Sequence, residues 1–309
     1  MTDLERYILD EWTEDYRDGH LPRREFLRRI AVFAGGTAAG LAVLASRGFA
    51  TSAEEIAEAA SMPAPLRAQA SGVTVPPDDP AIEARMVSFP HGGMTIQAYL
   101  ALPRNKPKAP GVIVIHEARG VTDHFKDVSR RLAKAGYAGL AVDLVSPQGG
   151  TDKVADSAQV STYLFRTPPA QHVELLNAGA RYLQGLPAVR ADRIGTMGFC
   201  FGGGMVWRFA TQNPDLRAAV PFYGPNPPLE DVAKIHAAVL ALYGALDTFV
   251  NPGIAAIRSA LDKAGVTYEV HIYEGANHGF FNDTAERYNA AAAKDAWARA
   301  LAWLGRWLS

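Results

Sequence analysis

From about residue 84 to the C-terminus, short apolar runs of strand length alternate with longer amphipathic stretches. Residues 84–90 and 95–102 flank His91-Gly92-Gly93, the pattern of an opening β-hairpin. Residues 111–115 are apolar throughout, as expected of a parallel strand buried on both faces. The runs at 137–144, 193–199, 218–223, 238–243 and 268–273 repeat that theme. Helical periodicity falls between and after them, over 123–135, 169–186, 202–212, 253–264 and 284–308. This alternation predicts an α/β fold, a mostly parallel central sheet with helices on both faces. In such sheets ligands bind beyond the carboxyl ends of the strands, so chemistry is expected in the residues that follow each run.

The N-terminus breaks the pattern. Residues 1–21 are polar and charged, and Pro22-Arg23-Arg24-Glu25-Phe26-Leu27-Arg28-Arg29 leads into an apolar run over 30–45. With 16 residues that include Gly35, Gly36 and Gly40, this run is shorter than the roughly 20 that a spanning helix needs. A basic stretch ahead of a moderate apolar segment reads as an export signal. The paired arginines followed by Phe-Leu resemble a twin-arginine signal, with Pro22 where Ser or Thr is usual. The expected organisation is therefore an export signal over 1–50, an Ala/Pro/Ser-rich linker over 51–80 and the α/β domain over 81–309. Transient contact with twin-arginine export machinery and a periplasmic or extracellular location follow, with a membrane tether if the segment is not cleaved. A helix packed on the domain is the alternative.

Composition narrows the classes. Apolar residues make up 48% of the 309 and charged residues 20%, the balance of a chain with a sizeable core. A net charge of −1 provides no basic field for a nucleic-acid backbone. The single cysteine, Cys200, can form no internal disulfide and no cysteine-based zinc cluster, so it is either buried filler or a reactive group. The oligomeric state is left open.

The neighbours of Cys200 decide its role. Gly198-Phe199-Cys200-Phe201-Gly202-Gly203 follows an apolar run and opens a helical stretch, the strand–turn–helix context of a nucleophile elbow. A sharp turn of this kind brings Gly198 and Gly202 against neighbouring backbone, where side chains would not fit. The Phe201 amide, in the first turn of the helix, is placed to hold a developing oxyanion, and the helix dipole favours a thiolate. Asp247 and His278 each stand just past a later run, 47 residues beyond Cys200 and 31 beyond Asp247. The order nucleophile, acid, histidine is the one this architecture uses, with His278 moving protons and Asp247 orienting its ring. Asp143 also follows a run and is the rival acid.

His116-Glu117-Ala118-Arg119-Gly120 begins like a zinc motif, but the second histidine is missing and the segment follows a strand, so no metal is expected. The loop after this strand is expected to supply the second oxyanion amide, from Ala118. Glu117, His116 and Gly120, the Cys200 elbow, Asp247 and His278-Gly279-Phe280 together resemble the dienelactone hydrolase family over residues 84–309. The resemblance implies the α/β-hydrolase fold, no cofactor, and hydrolysis of a small lactone or short ester through a thioester on Cys200. It also implies that Glu117 takes the thiol proton when substrate binds. A carboxylate there disfavours a permanent thiolate by repulsion and can still act as a base.

The substrate is less legible. The family places an arginine four residues after the histidine, where this chain has Asn282, and the region 157–167 offers only Arg166 as a cation. Tyr163, Arg166, Phe280 and Asn282 are the expected substrate contacts. Two other readings remain open: a ligand-binding protein whose chemistry has lapsed, and a cysteine hydrolase acting on another acyl donor.

Overall fold

The computed structural model describes residues 1–62 and 74–309. It contains ten α-helices among those residues: α1 (Asp3–Arg17), α2 (Arg23–Ala34), α3 (Thr37–Ser46), α4 (Ala53–Ser61), α5 (Asp123–Lys134), α6 (Ser157–Arg166), α7 (Pro169–Gln184), α8 (Phe201–Gln212), α9 (Ile254–Ala264) and α10 (Ala290–Leu308). The chain divides into two compact units, Met1–Ala68 with Asp152–Pro168, and Gln69–Thr151 with Pro169–Ser309.

The larger unit is built on one eight-stranded sheet. Its strands are β1 (Ile82–His91), β2 (Met94–Pro103), β3 (Ala109–Ile115), β4 (Ala138–Val142), β5 (Val189–Phe199), β6 (Ala218–Phe222), β7 (Ala238–Gly244) and β8 (Tyr268–Tyr273). They lie in the order β1-β2-β4-β3-β5-β6-β7-β8. β1 and β2 pair antiparallel around Gly92 and Gly93, both with positive φ, as a tight hairpin turn demands. β2 also meets β4 antiparallel, and the remaining neighbours run parallel. The central strands β3, β4, β6 and β7 are buried along their whole length, which is why they read as unbroken apolar runs. The sheet and its flanking helices match the fold expected from the sequence. Boundaries shift by a few residues, most at two starts: β5 begins at Val189, not 193, and the terminal helix at Ala290, not near 284. Asn289 caps it by accepting from the Ala292 amide, and Thr284 bonds back to Asn282.

The smaller unit holds α1 to α4 and α6. Capping boxes start α1 (Thr2 with Glu5) and α4 (Ser52 with Glu55), each satisfying two otherwise orphaned amides. The second explains why 53–61 is helical although the stretch from 51 reads as a linker. α2 ends at Gly35 in the left-handed region, and α3 leaves at 112°. Among the described residues no single helix is long and apolar enough to cross a membrane. Tyr16 stacks on Phe26, and Tyr7 on Phe165 of α6. The segment 152–168, read from the sequence as part of the 81–309 domain, thus packs with the N-terminal helices.

Candidate active site

Cys200 sits between the end of β5 and the start of α8 with φ 55° and ψ −119°, a strained conformation for a residue with a side chain. Its amide donates to the Phe222 carbonyl of β6 at 3.1 Å, which pins the turn. A Cβ on Gly198 would come within 2.4 Å of the Gly202 carbonyl oxygen, and one on Gly202 within 2.3 Å of the Ile115 oxygen. Both glycines are therefore obligatory at this crossing, as the elbow reading requires.

Asp247 follows β7, and His278 follows β8. Asp247 Oδ2 lies 2.7 Å from His278 Nδ1, and both side chains are buried. The other carboxylate oxygen of Asp247 accepts from the Phe249 and Val250 amides at 3.0 and 3.1 Å, which fixes the acid in place. A ring nitrogen of His278 lies within 4.8 Å of Cys200 Sγ. With Nδ1 committed to Asp247, Nε2 is the nitrogen that faces the sulfur. Burial opposes charge on Asp247, yet His278 and the two amides outweigh it and hold the carboxyl below the ordinary aspartate range. Burial likewise opposes an imidazolium, but Asp247 and Cys200 lift His278 well above the ordinary histidine range.

Glu117 follows β3. Its two oxygens accept from Tyr223 Oη at 3.2 Å and from Asn282 Nδ2 at 2.9 Å. Tyr223 is a residue the sequence reading did not single out. It ends the run over 218–223, but the strand stops at Phe222 and Tyr223 turns to φ 37°. Its ring centroid lies 5.0 Å from that of His278. Burial, Glu117 and Cys200 raise its hydroxyl above the ordinary tyrosine range, so it stays a donor. The one cue in the sequence was position, at the carboxyl end of a central strand.

The other candidates divide. Phe201 opens α8, and Ala118 lies in the turn that the Gly120 amide closes onto the Glu117 carbonyl. His116 is fully buried: its Nδ1 faces the Glu117 carbonyl and its Nε2 accepts from the Leu144 amide, which requires a neutral ring. Burial lowers its basicity accordingly. Asp143, the rival acid, instead accepts from the Val145 and Thr151 amides and the Thr151 hydroxyl, organising the turn after β4. Phe280, expected against substrate, packs fully buried among Phe222, Tyr223 and Tyr273, so it is core. Asn282, expected in the same role, spends its amide on Glu117. Tyr163 and Arg166 lie on α6 in the smaller unit, where Arg166 covers the Phe33 ring.

A family model described as "Dienelactone hydrolase family" matches residues 96–308. The chain belongs to this family. It is similar to the "Putative carboxymethylenebutenolidase" of Methylorubrum extorquens, 34% identical over 246 residues, covering 76% of this chain and 84% of that protein. The protein of the same name from Escherichia coli K12 is 34% identical over 247 residues, 76% and 90% of the two chains. Among solved structures, a putative dienelactone hydrolase from Klebsiella pneumoniae aligns with TM-score 0.68 and 34% identity over 73% of this chain and 99% of that one. A dienelactone hydrolase-like promiscuous phosphotriesterase, P91, from metagenomic libraries aligns with TM-score 0.67 and 27% identity, over 74% of this chain and all of that one. The architecture is that of an α/β-hydrolase, and the protein is a hydrolase of this family.

Proposed function

We propose that the protein hydrolyses a lactone or short carboxylic ester through a thioester on Cys200. The observation that carries this reading is the alignment of Asp247, His278 and the Cys200 thiol at the carboxyl ends of three parallel strands. As substrate enters, Glu117 takes the thiol proton and the sulfur attacks the acyl carbon. The new C–S bond forms as the carbonyl electron pair moves onto oxygen, where the amides of Phe201 and Ala118 stabilise it. The C–O bond to the leaving alkoxide then breaks, and protonated His278 gives the alkoxide its proton. Neutral His278 next deprotonates water, which attacks the thioester. The C–S bond breaks, and the thiolate recovers its proton from Glu117.

A Cys200→Ala variant is expected to lose ester and lactone turnover while melting as the wild type does; undiminished hydrolysis would reject the mechanism. A panel of lactones and esters, with and without a carboxylate, run on wild type and Cys200→Ser identifies the substrate class. Export is the companion proposal on location, supported by Arg23-Arg24 ahead of the apolar run. Both arginines reach the surface of the smaller unit, paired with Glu55 and Glu58. An Arg23→Lys/Arg24→Lys variant held in the cytoplasm would support it, and unchanged fractionation would not.

A further inference from the structure

Asn282 has a defined orientation. Its Oδ1 accepts from both the Thr284 amide, at 3.1 Å, and the Thr284 hydroxyl, at 2.6 Å. A backbone N–H can only donate, so that end of the side chain is the oxygen and the end turned toward Glu117 is the NH2 group. The next residue, Asp283, is gripped from α5: His124 Nδ1 lies 2.8 Å from Asp283 Oδ1, and Arg131 bonds Oδ2. Arg131 in turn bonds Asp127 at 2.6 Å, and Asp127 also accepts from the Thr74 and Val75 amides. The His124 ring is wedged among Phe125, Phe199 and Phe281, and Phe199 immediately precedes the nucleophile. A charged staple from α5 therefore fixes the loop that carries Asn282.

We propose that Asn282 is a positioning residue for Glu117, set by Thr284 and by the hold of His124 and Arg131 on Asp283. This rests on the reading above that Glu117 handles the Cys200 proton. A neutral amide aims the carboxylate without cancelling its charge, so the group remains able to accept a proton. A cation in the same place would pair with it instead.

The test compares Asn282→Asp, which keeps the shape and loses the donor, with Asn282→Ala and Asp283→Asn. Steady-state hydrolysis of p-nitrophenyl acetate and the pH profile of Cys200 alkylation by iodoacetamide are the readouts; with one cysteine in the chain the second is free of interference. Both Asn282 variants are expected to lose about 10- to 100-fold in kcat with KM within about threefold, and to change the alkylation profile. Asp283→Asn is expected to follow in the same direction by a smaller factor. Values of kcat within about twofold of wild type and an unchanged profile in both Asn282 variants would overturn the proposal. Glu117→Gln separates the layers: if it too is unimpaired, the role given to Glu117 fails; if it alone is impaired, only the positioning role fails.

A different observation carries a second inference, that the arginine-rich N-terminal segment stays attached as a clamp on α6. Arg28 of α2 is buried and forks onto Asp156 at 2.6 and 3.0 Å, across 128 residues of sequence, and onto Glu25 at 2.8 and 2.9 Å. Asp156 is also the N-cap of α6, accepting from the Ala158 amide. Removing the segment would leave a capping carboxylate without its partner. Asp156→Asn keeps the cap and deletes the pair; Arg28→Met deletes the other side. Each is expected to lower the first melting transition by about 6 °C or more, with the double variant recovering part of the loss. The intact mass of the protein recovered from its producing cells is expected to include residues 1–50. A mature chain that begins near residue 51 and melts and turns over as the full chain does would overturn the inference, as would single variants that melt unchanged.

Discussion

Asp247→Asn isolates the electrostatic part of the site. The variant keeps the volume of the side chain, and its amide oxygen can still accept from the Phe249 and Val250 amides, so the loop after β7 is expected to hold within about 1 kcal/mol. What disappears is a charge 2.7 Å from the imidazole. At that separation and an effective dielectric constant near 20, an ion pair is worth about 6 kcal/mol. At about 1.4 kcal/mol per tenfold, the loss amounts to roughly four orders of magnitude in rate if the imidazolium forms only with the acid beside it. The amide NH2 of asparagine also donates toward Nδ1, which places the proton of the neutral ring on Nε2 and leaves no acceptor there for the proton of the water that attacks the thioester. The assay is kcat/KM for p-nitrophenyl acetate, with thermal melting run in parallel. A loss below about tenfold in a variant that melts like the wild type would refute the role assigned to the acid.

Three further outcomes follow from the geometry. Gly202→Ala would drive a methyl to within 2.3 Å of the Ile115 carbonyl oxygen, and a loss of about 3 kcal/mol or more is expected in urea unfolding; a stable, active variant would contradict the crossing described at the elbow. Glu117→Gln leaves one of the two donors, Tyr223 or Asn282, facing an NH2 group, and kcat is expected to fall about 100-fold, measured on the same ester, with melting little changed. Stability is expected to decline at both ends of the pH range. Asp247, Asp283 and Glu25 are held below their ordinary carboxyl ranges, so the stability they contribute is present above those ranges and is lost as pH falls through the lowered values. His278 is raised, so its contribution is complete below the ordinary histidine range and is lost as pH rises through the raised value. Urea midpoints against pH check both limbs, and Asp283→Asn is expected to flatten the acid one.

The parts of this molecule that were legible in the sequence are those governed by local rules. Fully buried parallel strands must be apolar along their length, so β3, β6 and β7 announced themselves, and the residues just past β5, β7 and β8 could be read as Cys200, Asp247 and His278. The Gly198–Gly202 crossing is a steric requirement spaced four residues apart and leaves a visible trace. Tyr223 leaves only its position at a strand end, because a tyrosine closing an apolar run looks like core until its backbone is seen to turn to positive φ. The distance of Asn282 from His278 marks it in sequence as a substrate contact but gives no sign of its bond to Glu117, 165 residues away. The N-terminal segment shows the same limit. Arg28 looked like one more base in a basic stretch, since nothing near it in the chain reveals Asp156. Phe280 stands two residues after His278, where a phenylalanine fits a pocket wall and a core equally well in sequence; the fold buries it in the core.

The proposed reaction passes through a covalent bond between the acyl group and the Cys200 sulfur. Acid quenching during turnover of a p-nitrophenyl ester, followed by mass spectrometry, tests it directly. One added acyl mass is expected on the peptide that contains Cys200, absent in Cys200→Ala and discharged when the wild type is left to complete the reaction. Full turnover by Cys200→Ala, or acylation mapped to another residue, would contradict it.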